Sequence, residues 1–222
     1  MILLIEDRTE RQNKFTLEVG IEFNDYTDIL DNKIGQEYDE LFSEFKDNQY
    51  NLEKYTTIIT HRSAFSEQNS EILDKLKEYC KKEKKTLVFF SGGISTSVHL
   101  QNPFEFLLLN SKTFYSDNLK IFLEDYRENF KPNSLILEYG NYWTINLLLN
   151  RVEKINLFIS HNQNEKEIEY EDFLDEVKIR DIENFIQIDE PTQINGWVKI
   201  SDLKSFASTL SKQIKERIVL EA

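Results

Sequence analysis

The chain has few of the residues that build cross-links and metal sites. Its 222 residues contain one cysteine, three prolines, six glycines and three histidines. The single cysteine, Cys80, excludes an intramolecular disulfide and a zinc site made of cysteines from this chain alone, so we expect a half-buried structural thiol. The histidines, His61, His99 and His161, lie in separate segments without ligand-type spacing, which argues against a histidine metal site.

Long apolar runs and an excess of basic residues are also missing. No apolar run approaches the about 20 residues of a membrane span, and the apolar start has no basic leader. We therefore expect no membrane association and a cytoplasmic protein. The chain carries 27 basic and 40 acidic side chains, a formal charge of −13, which repels phosphate backbones and disfavours nucleic-acid binding.

The first part of the chain alternates apolar runs with amphipathic segments. Hydrophobic residues make up 40% of the chain, enough for a substantial core. Strands are predicted at residues 1–5, 26–30, 55–60, 87–90 and 104–110. Helices are predicted between and after them, including one that starts near Ser66 and a short one at 95–101. Such alternation predicts an α/β fold with a flavodoxin-like, doubly wound, five-stranded parallel sheet over residues 1–130.

Residues 131–222 have a different pattern. They follow the KPNS connection and predict an α-rich region with one strand at 134–139. A helix is predicted over 168–188, with Ile182 and Phe185 on its apolar face, then a turn-rich connector and a final helix. The region has 11 basic and 16 acidic side chains, and none of its helices offers the basic face that DNA reading requires.

The chain opens on a buried strand that ends in two acids. MILLIEDR has five consecutive apolar residues and then Glu6 and Asp7, which would lie at the carboxyl end of a strand. Further along, Ser91 ends the strand LVFFS, and Lys112 precedes TFYSDNLKIF. This set resembles the receiver domains of response regulators. The resemblance implies that Glu6 and Asp7 hold Mg²⁺, and that Ser91 and Lys112 match the receiver's hydroxyl and lysine positions.

The third predicted strand departs from the receiver pattern. The resemblance requires a phosphoryl-accepting aspartate at its end, and His61 stands there, with no acid between Tyr55 and Phe65. Without that carboxylate no acyl phosphate forms, and Glu6 and Asp7 alone are a weak Mg²⁺ site. We therefore predict a non-catalytic pseudo-receiver that acts in signalling or protein interaction. It needs no cofactor, although Mg²⁺ stays open as a ligand, and its partner is a protein or a second copy of the chain.

Several other interpretations stay open at this point. Glu6 and Asp7 are equally consistent with capping of the first helix, and His61 with a structural role. The loop Ser91, Gly92, Gly93 and Ser95 resembles the pyrophosphate-binding loop of PP-loop ATP-pyrophosphatases, although the usual aspartate is missing.

Two further classes are weighed against these. A transcriptional response regulator with an acidic C-terminal effector region is a second alternative. A hydrolase would need Ser63 or Ser91 as a nucleophile beside His61, and no G-x-S-x-G pattern occurs.

Overall fold

The computed structural model describes residues 1–65, 70–177, 186 and 188–221. The chain forms two compact units, Met1–Asn141 and Tyr142–Ala222. The first unit therefore extends past residue 130, where the sequence predicted the boundary. Among the described residues, no helix is both long enough and apolar enough to cross a membrane.

The first unit is built on a six-stranded, mostly parallel sheet. Its strands are β1 (Ile2–Glu6), β2 (Leu30–Ile34), β3 (Thr57–His61), β4 (Thr86–Ser91), β5 (Val98–Leu100) and β6 (Phe106–Asn110). They lie in the order β2-β1-β3-β4-β6-β5, and only the edge strand β5 is antiparallel to its neighbour. This α/β arrangement is consistent with a flavodoxin-like fold.

Helices follow most of these strands. They are α1 (Thr9–Val19), α2 (Gln36–Lys46), α3 (Ser70–Glu83), α4 (Ser111–Phe114), α5 (Asp117–Asn129) and α6 (Leu135–Tyr139). Short 3₁₀ turns occur at Phe23–Tyr26 and Arg62–Ala64. The predicted start of α3 at Ser66 lies outside the described residues.

The continuous apolar run at the start of the chain forms a central strand because both of its faces are covered. Every residue of β1 is buried, and the strand pairs in parallel with β2 on one side and β3 on the other. Burying each of its Ile and Leu side chains stabilises the fold by about 1.5 to 3 kcal/mol. Because β2, β1, β3, β4 and β6 are parallel, their carboxyl ends lie at one edge of the sheet, around Glu6.

The second unit contains three helices and a small sheet in its described part. The helices are α7 (Trp143–His161), α8 (Tyr170–Val177) and α9 (Ile200–Glu221). The strands β7 (Glu167–Glu169), β8 (Gln193–Ile194) and β9 (Trp197–Lys199) form an antiparallel sheet in the order β7-β9-β8. The predicted core positions Ile182 and Phe185 lie outside the described residues.

Four local predictions are corrected by the structure. The second strand lies at Leu30–Ile34 and not at 26–30. Asp31 and Asn32, predicted as a turn, belong to this edge strand because their side chains accept hydrogen bonds from Tyr55 and Gln12. The short helix predicted at 95–101 is replaced by β5, which pairs with β6. The strand predicted at 134–139 is the helix α6, whose Leu135, Ile136 and Leu137 are all buried.

The fourth correction concerns the predicted connector before the last helix, which is the hairpin of β8 and β9. Its two-residue turn is Asn195 and Gly196, both with positive φ. Asn-Gly is the sequence that favours such a turn, so the signal was present in the sequence.

Candidate functional site

The acids at the end of β1 are held by an arginine from the first helix. The Arg11 Nη1 atom lies 2.7 Å from Glu6 Oε1 and 3.0 Å from Asp7 Oδ1. Arg11 follows Asp7 by four residues at the start of α1, so one helical turn brings the guanidinium back over the strand end. The Glu6 side chain is fully buried and the Asp7 side chain is 14% exposed, which makes this a partly desolvated ion-pair group.

The remaining carboxyl oxygens also have protein donors. Tyr115 follows α4, and its hydroxyl donates to Glu6 Oε2 at 3.1 Å. The Ser63 hydroxyl donates to Asp7 Oδ2 at 2.8 Å. Each of the four oxygens of Glu6 and Asp7 therefore has a donor from Arg11, Tyr115 or Ser63. We call this group, together with His61, the acidic cluster.

Helix capping does not explain the two acids. The cap residue of α1 is Arg8, and no side chain caps the helix. The Arg8 amide donates instead to Glu6 Oε1 at 3.3 Å. The interpretation of Glu6 and Asp7 as caps of the first helix is therefore wrong.

His61 ends β3 and has a structural hydrogen bond. Its Nδ1 atom accepts the Ser63 backbone N–H at 3.0 Å and so caps the 3₁₀ turn that follows the strand. Because Nδ1 accepts this bond, the neutral ring carries its proton on Nε2. The ring also packs edge-on against Phe90, with the centroids 5.1 Å apart. These two contacts at the end of β3 favour the structural interpretation of His61.

The ionisation of the cluster follows from its burial. Burial raises the pKa of Glu6 to about 8, and hydrogen bonding to Asp7 adds to the rise while the charge of Arg11 opposes it. Burial also raises the pKa of Asp7, but hydrogen bonds with Glu6 and Ser63 and the charge of Arg11 outweigh it, so the net shift is downward. At neutral pH the pair therefore shares one proton and one negative charge, and Arg11 balances that charge.

His61 is also shifted by its surroundings. The pKa of His61 is lowered to about 4, first by burial and then by the positive charge of Arg11, against the opposing effect of Asp7. The imidazole is therefore neutral at physiological pH. A neutral ring is consistent with Nδ1 acting as the acceptor for Ser63.

The cluster does not have the order of a catalytic triad. In a triad the histidine lies between the serine and the acid, and it binds each through a different ring nitrogen. Here Ser63 Oγ lies 2.6 Å from His61 Nδ1 and also donates to Asp7, so the serine is in the middle. The Ser63 hydroxyl donates its proton to Asp7, so His61 does not accept it as the base of a triad would.

A divalent metal fits these residues poorly. Glu6, Asp7 and His61 each bring one potential ligand atom within 4.8 Å of the others. Mg²⁺ requires free, ionised oxygen ligands, whereas the Arg11 guanidinium already contacts both carboxyl groups and Glu6 holds a proton at neutral pH. A metal would have to displace Arg11 from both carboxyl groups.

The other two predicted site residues stay apart from this cluster. Ser91 ends β4 at the same sheet edge, paired with Asn110, but its hydroxyl has no hydrogen bond to the described part of the chain. Lys112 is exposed in α4, and its ammonium forms no ion pair within the described ranges. The structure thus joins Glu6, Asp7 and His61 and leaves Ser91 and Lys112 outside their hydrogen-bond group.

The predicted phosphate loop lacks the geometry of a phosphate cradle. After Ser91, Gly92, Gly93 and Ser95 the chain enters the strand β5, so the glycines do not lead into the helix that follows them in a PP-loop. The Asn110 amide instead donates to the Ile94 carbonyl at 2.6 Å and braces the loop from β6.

Comparison with known proteins adds no relative. The chain matches no protein-family model, no curated protein and no solved structure.

Sequence reasoning missed the groups that complete the cluster. Arg11 carried a readable signal, because a basic residue four positions after an acid faces it along a helix. Tyr115 carried none, since it lies 109 positions from Glu6 in the chain. Ser63 was considered beside His61, but its bond to Asp7, 56 positions away, was not predicted. Gln12 and Asn32, which exchange two side-chain hydrogen bonds between α1 and β2, also went unnoticed.

Proposed function

We propose that the first unit is a pseudo-receiver, a non-catalytic signalling or protein-interaction module with a receiver-like fold. The observation that carries this proposal is the saturation of Glu6 and Asp7 by donors from the protein itself. In a receiver those oxygens face a metal ion, and here Arg11 supplies the positive charge internally. Because Arg11 balances the negative charge of the two acids, the pocket needs no metal ion for charge balance.

The end of β3 supports the same conclusion. Phosphoryl transfer to a receiver needs a carboxylate at that position, and His61 is there with its Nδ1 committed to the turn that follows. Its Nε2 carries the proton of the neutral ring and has no lone pair to attack a phosphoryl group.

The strand order supports the receiver-like part of the proposal. The five parallel strands run β2-β1-β3-β4-β6, which is the 2-1-3-4-5 order of flavodoxin-like folds. The antiparallel β5 stands where a receiver has its fourth crossover helix. A partner surface built on that helix is therefore replaced by an exposed strand edge, on which Val98 and Leu100 are 38% and 51% exposed. We assign the partner contact of the first unit to this edge, for a protein or a second copy of the chain.

The experiment that tests the non-catalytic role is incubation of the full chain with acetyl phosphate and Mg²⁺, followed by intact-mass measurement. We expect no phosphoryl adduct and no release of phosphate from ATP or GTP. A stoichiometric adduct, or turnover of either nucleotide, would refute the proposal.

The test of the partner surface is sedimentation equilibrium of the wild type and of Leu100→Lys. If β5 pairs with a second copy, the wild type is dimeric and the lysine variant monomeric. A dimer that survives Leu100→Lys would remove β5 from the interface. For a monomeric wild type, hydrogen exchange is followed at the β5 amides, where we expect fast exchange. Protected amides on the outer side of β5 would show that the chain itself covers the edge, against our assignment.

The alternatives fit less well. A transcriptional regulator needs a basic helix face, whereas the second unit is acidic as a whole, with 10 basic and 15 acidic side chains in residues 142–222. A PP-loop enzyme needs helix amides behind its glycines, and here a strand follows them.

A further inference from the structure

The small sheet of the second unit has one buried and one exposed face. Ile168 and Val198 are buried on one side, while Trp197 and Ile194 stand on the other and are 44% and 63% exposed. Cross-strand pairing places Ile194 on one side of Trp197 and Glu169 on the other. An exposed tryptophan beside an exposed isoleucine is an apolar patch on a face that no described residue covers.

Acids surround this patch and leave it strongly negative. A surface hollow of 680 Å³ borders Trp197 and is lined by six carboxylates, Glu165, Glu167, Glu169, Asp172, Asp175 and Glu176. No lysine or arginine of the described chain lines the hollow. None of the six acids forms an ion pair with the described residues. Lys199 lies opposite Glu167 across the strands, and this one lysine against six carboxylates leaves the described lining negative.

A second hollow continues the first along the sheet. It measures 240 Å³ and shares Glu167 and Trp197 with the larger one, and it adds Ile194 and Asp202 to the lining. The two hollows adjoin at these shared residues, and we call them together the track. Among the described residues that line the two hollows, the one cation is Lys199, which lies opposite Glu167 in the pairing of β9 with β7.

We propose that this track binds a lysine- and arginine-bearing segment of a protein partner, with one cationic side chain over the Trp197 indole. Charge complementarity selects this occupant, because six carboxylates repel an anionic partner, give a neutral one no charge attraction, and attract a cationic one. The exposed indole face adds a cation–π contact, and guanidinium is the cation that stacks best on it. Ile194 contacts the aliphatic stems of the same side chains. All of these residues belong to the second unit, so the inference is independent of the pseudo-receiver proposal.

The experiment is isothermal titration of the full chain with oligo-arginine, oligo-lysine and oligo-glutamate peptides of equal length at physiological salt. We expect saturable binding of both cationic peptides, tighter for oligo-arginine, and none of oligo-glutamate. Trp197→Leu keeps an apolar side chain on β9 and should weaken oligo-arginine binding severalfold. It should also bring the two cationic peptides to equal affinity.

Paired charge variants separate this site from general attraction to an acidic protein. In the test variant, Glu169→Gln, Asp175→Asn and Glu176→Gln remove three carboxylates of the track, and we expect the dissociation constant to rise at least tenfold. In the control, Glu37→Gln, Glu40→Gln and Glu44→Gln remove three carboxylates from the acidic hollow of the first unit and should change it less than twofold. Circular dichroism and thermal unfolding confirm that all variants are folded.

Three results would overturn the proposal. The first is the absence of saturable binding by the cationic peptides. The second is an equal loss of affinity in the test and control variants, which would reduce the effect to net charge. The third is saturable Ca²⁺ binding that the test variant abolishes, since the carboxylates would then belong to a metal site.

Discussion

Removal of the Arg11 guanidinium is the most direct perturbation of the acidic cluster. Arg11→Met keeps the aliphatic stem and the helix propensity of α1 but deletes the bonds of 2.7 Å to Glu6 and 3.0 Å to Asp7. Deleting one partner of a buried ion pair costs about 3 to 5 kcal/mol. Arg11 is 19% exposed, and Glu6 is able to hold a proton, so only Asp7 is left as an uncompensated charge at neutral pH. We therefore expect a loss of about 2 to 3 kcal/mol near pH 7.

The loss should grow with pH. The folded-state pKa of Glu6, about 8, lies above the ordinary value of 4.5. The stability that this proton uptake contributes is complete below the ordinary value and disappears as the pH rises through about 8. Without Arg11 two charges then repel each other in a buried site. The cost of Arg11→Met should accordingly reach about 4 kcal/mol near pH 9 and be smaller near pH 6.

The assay is urea unfolding of wild type and variants at several pH values, with the midpoint and slope fitted separately. Arg8→Met is the matched control, because Arg8 is 66% exposed and its nitrogen lies 3.8 Å from Asp7. A surface pair of that kind contributes about 0 to 1 kcal/mol. The reasoning fails if Arg11→Met is no less stable than Arg8→Met, or if its cost is the same at high and low pH.

Three further predictions concern metal binding at the acidic cluster, the titration of His61 and the backbone at Gly140. A thermal shift on adding Mg²⁺ should be absent in the wild type and present in Arg11→Met, since only the variant frees oxygens for the ion; a wild-type shift would contradict the poor metal fit. His61, whose pKa burial lowers to about 4, costs stability as the pH falls below its ordinary value of 6.5, where the unfolded chain takes up the proton. Between about pH 7 and pH 5 the wild type should therefore lose about 2 kcal/mol more than His61→Gln, measured by urea unfolding, and equal slopes would exclude this origin. Gly140 has φ +64, and a β-carbon there would meet Asn118 Oδ1 at 1.8 Å, so Gly140→Ala should lower stability by about 2 kcal/mol or more. Gly93→Ala meets nothing within 4 Å and is the neutral control.

Much of the fold was readable from local pattern. The apolar runs at the start of the chain and at 87–90 are buried strands in the structure, because a strand covered on both faces has no polar positions to interrupt the run. The sequence predictions of strands and helices were wrong where the hydrophobic pattern was short or polar. Leu135–Tyr139 is as apolar as a strand and folds as a helix, and β5 is too short to show alternation.

The candidate site, like the fold, was predictable from the sequence only in part. The sequence by itself determined that Glu6 and Asp7 end the first strand and that no acid stands where β3 ends. Only the tertiary structure decided what those acids contact. Arg11 is one helical turn away, but Ser63 and Tyr115 reach the site from distant strands and helices, and their approach depends on packing that local pattern does not encode. The chemistry of the site rests on those contacts, because a buried carboxyl group is governed by its donors and by its exclusion from water.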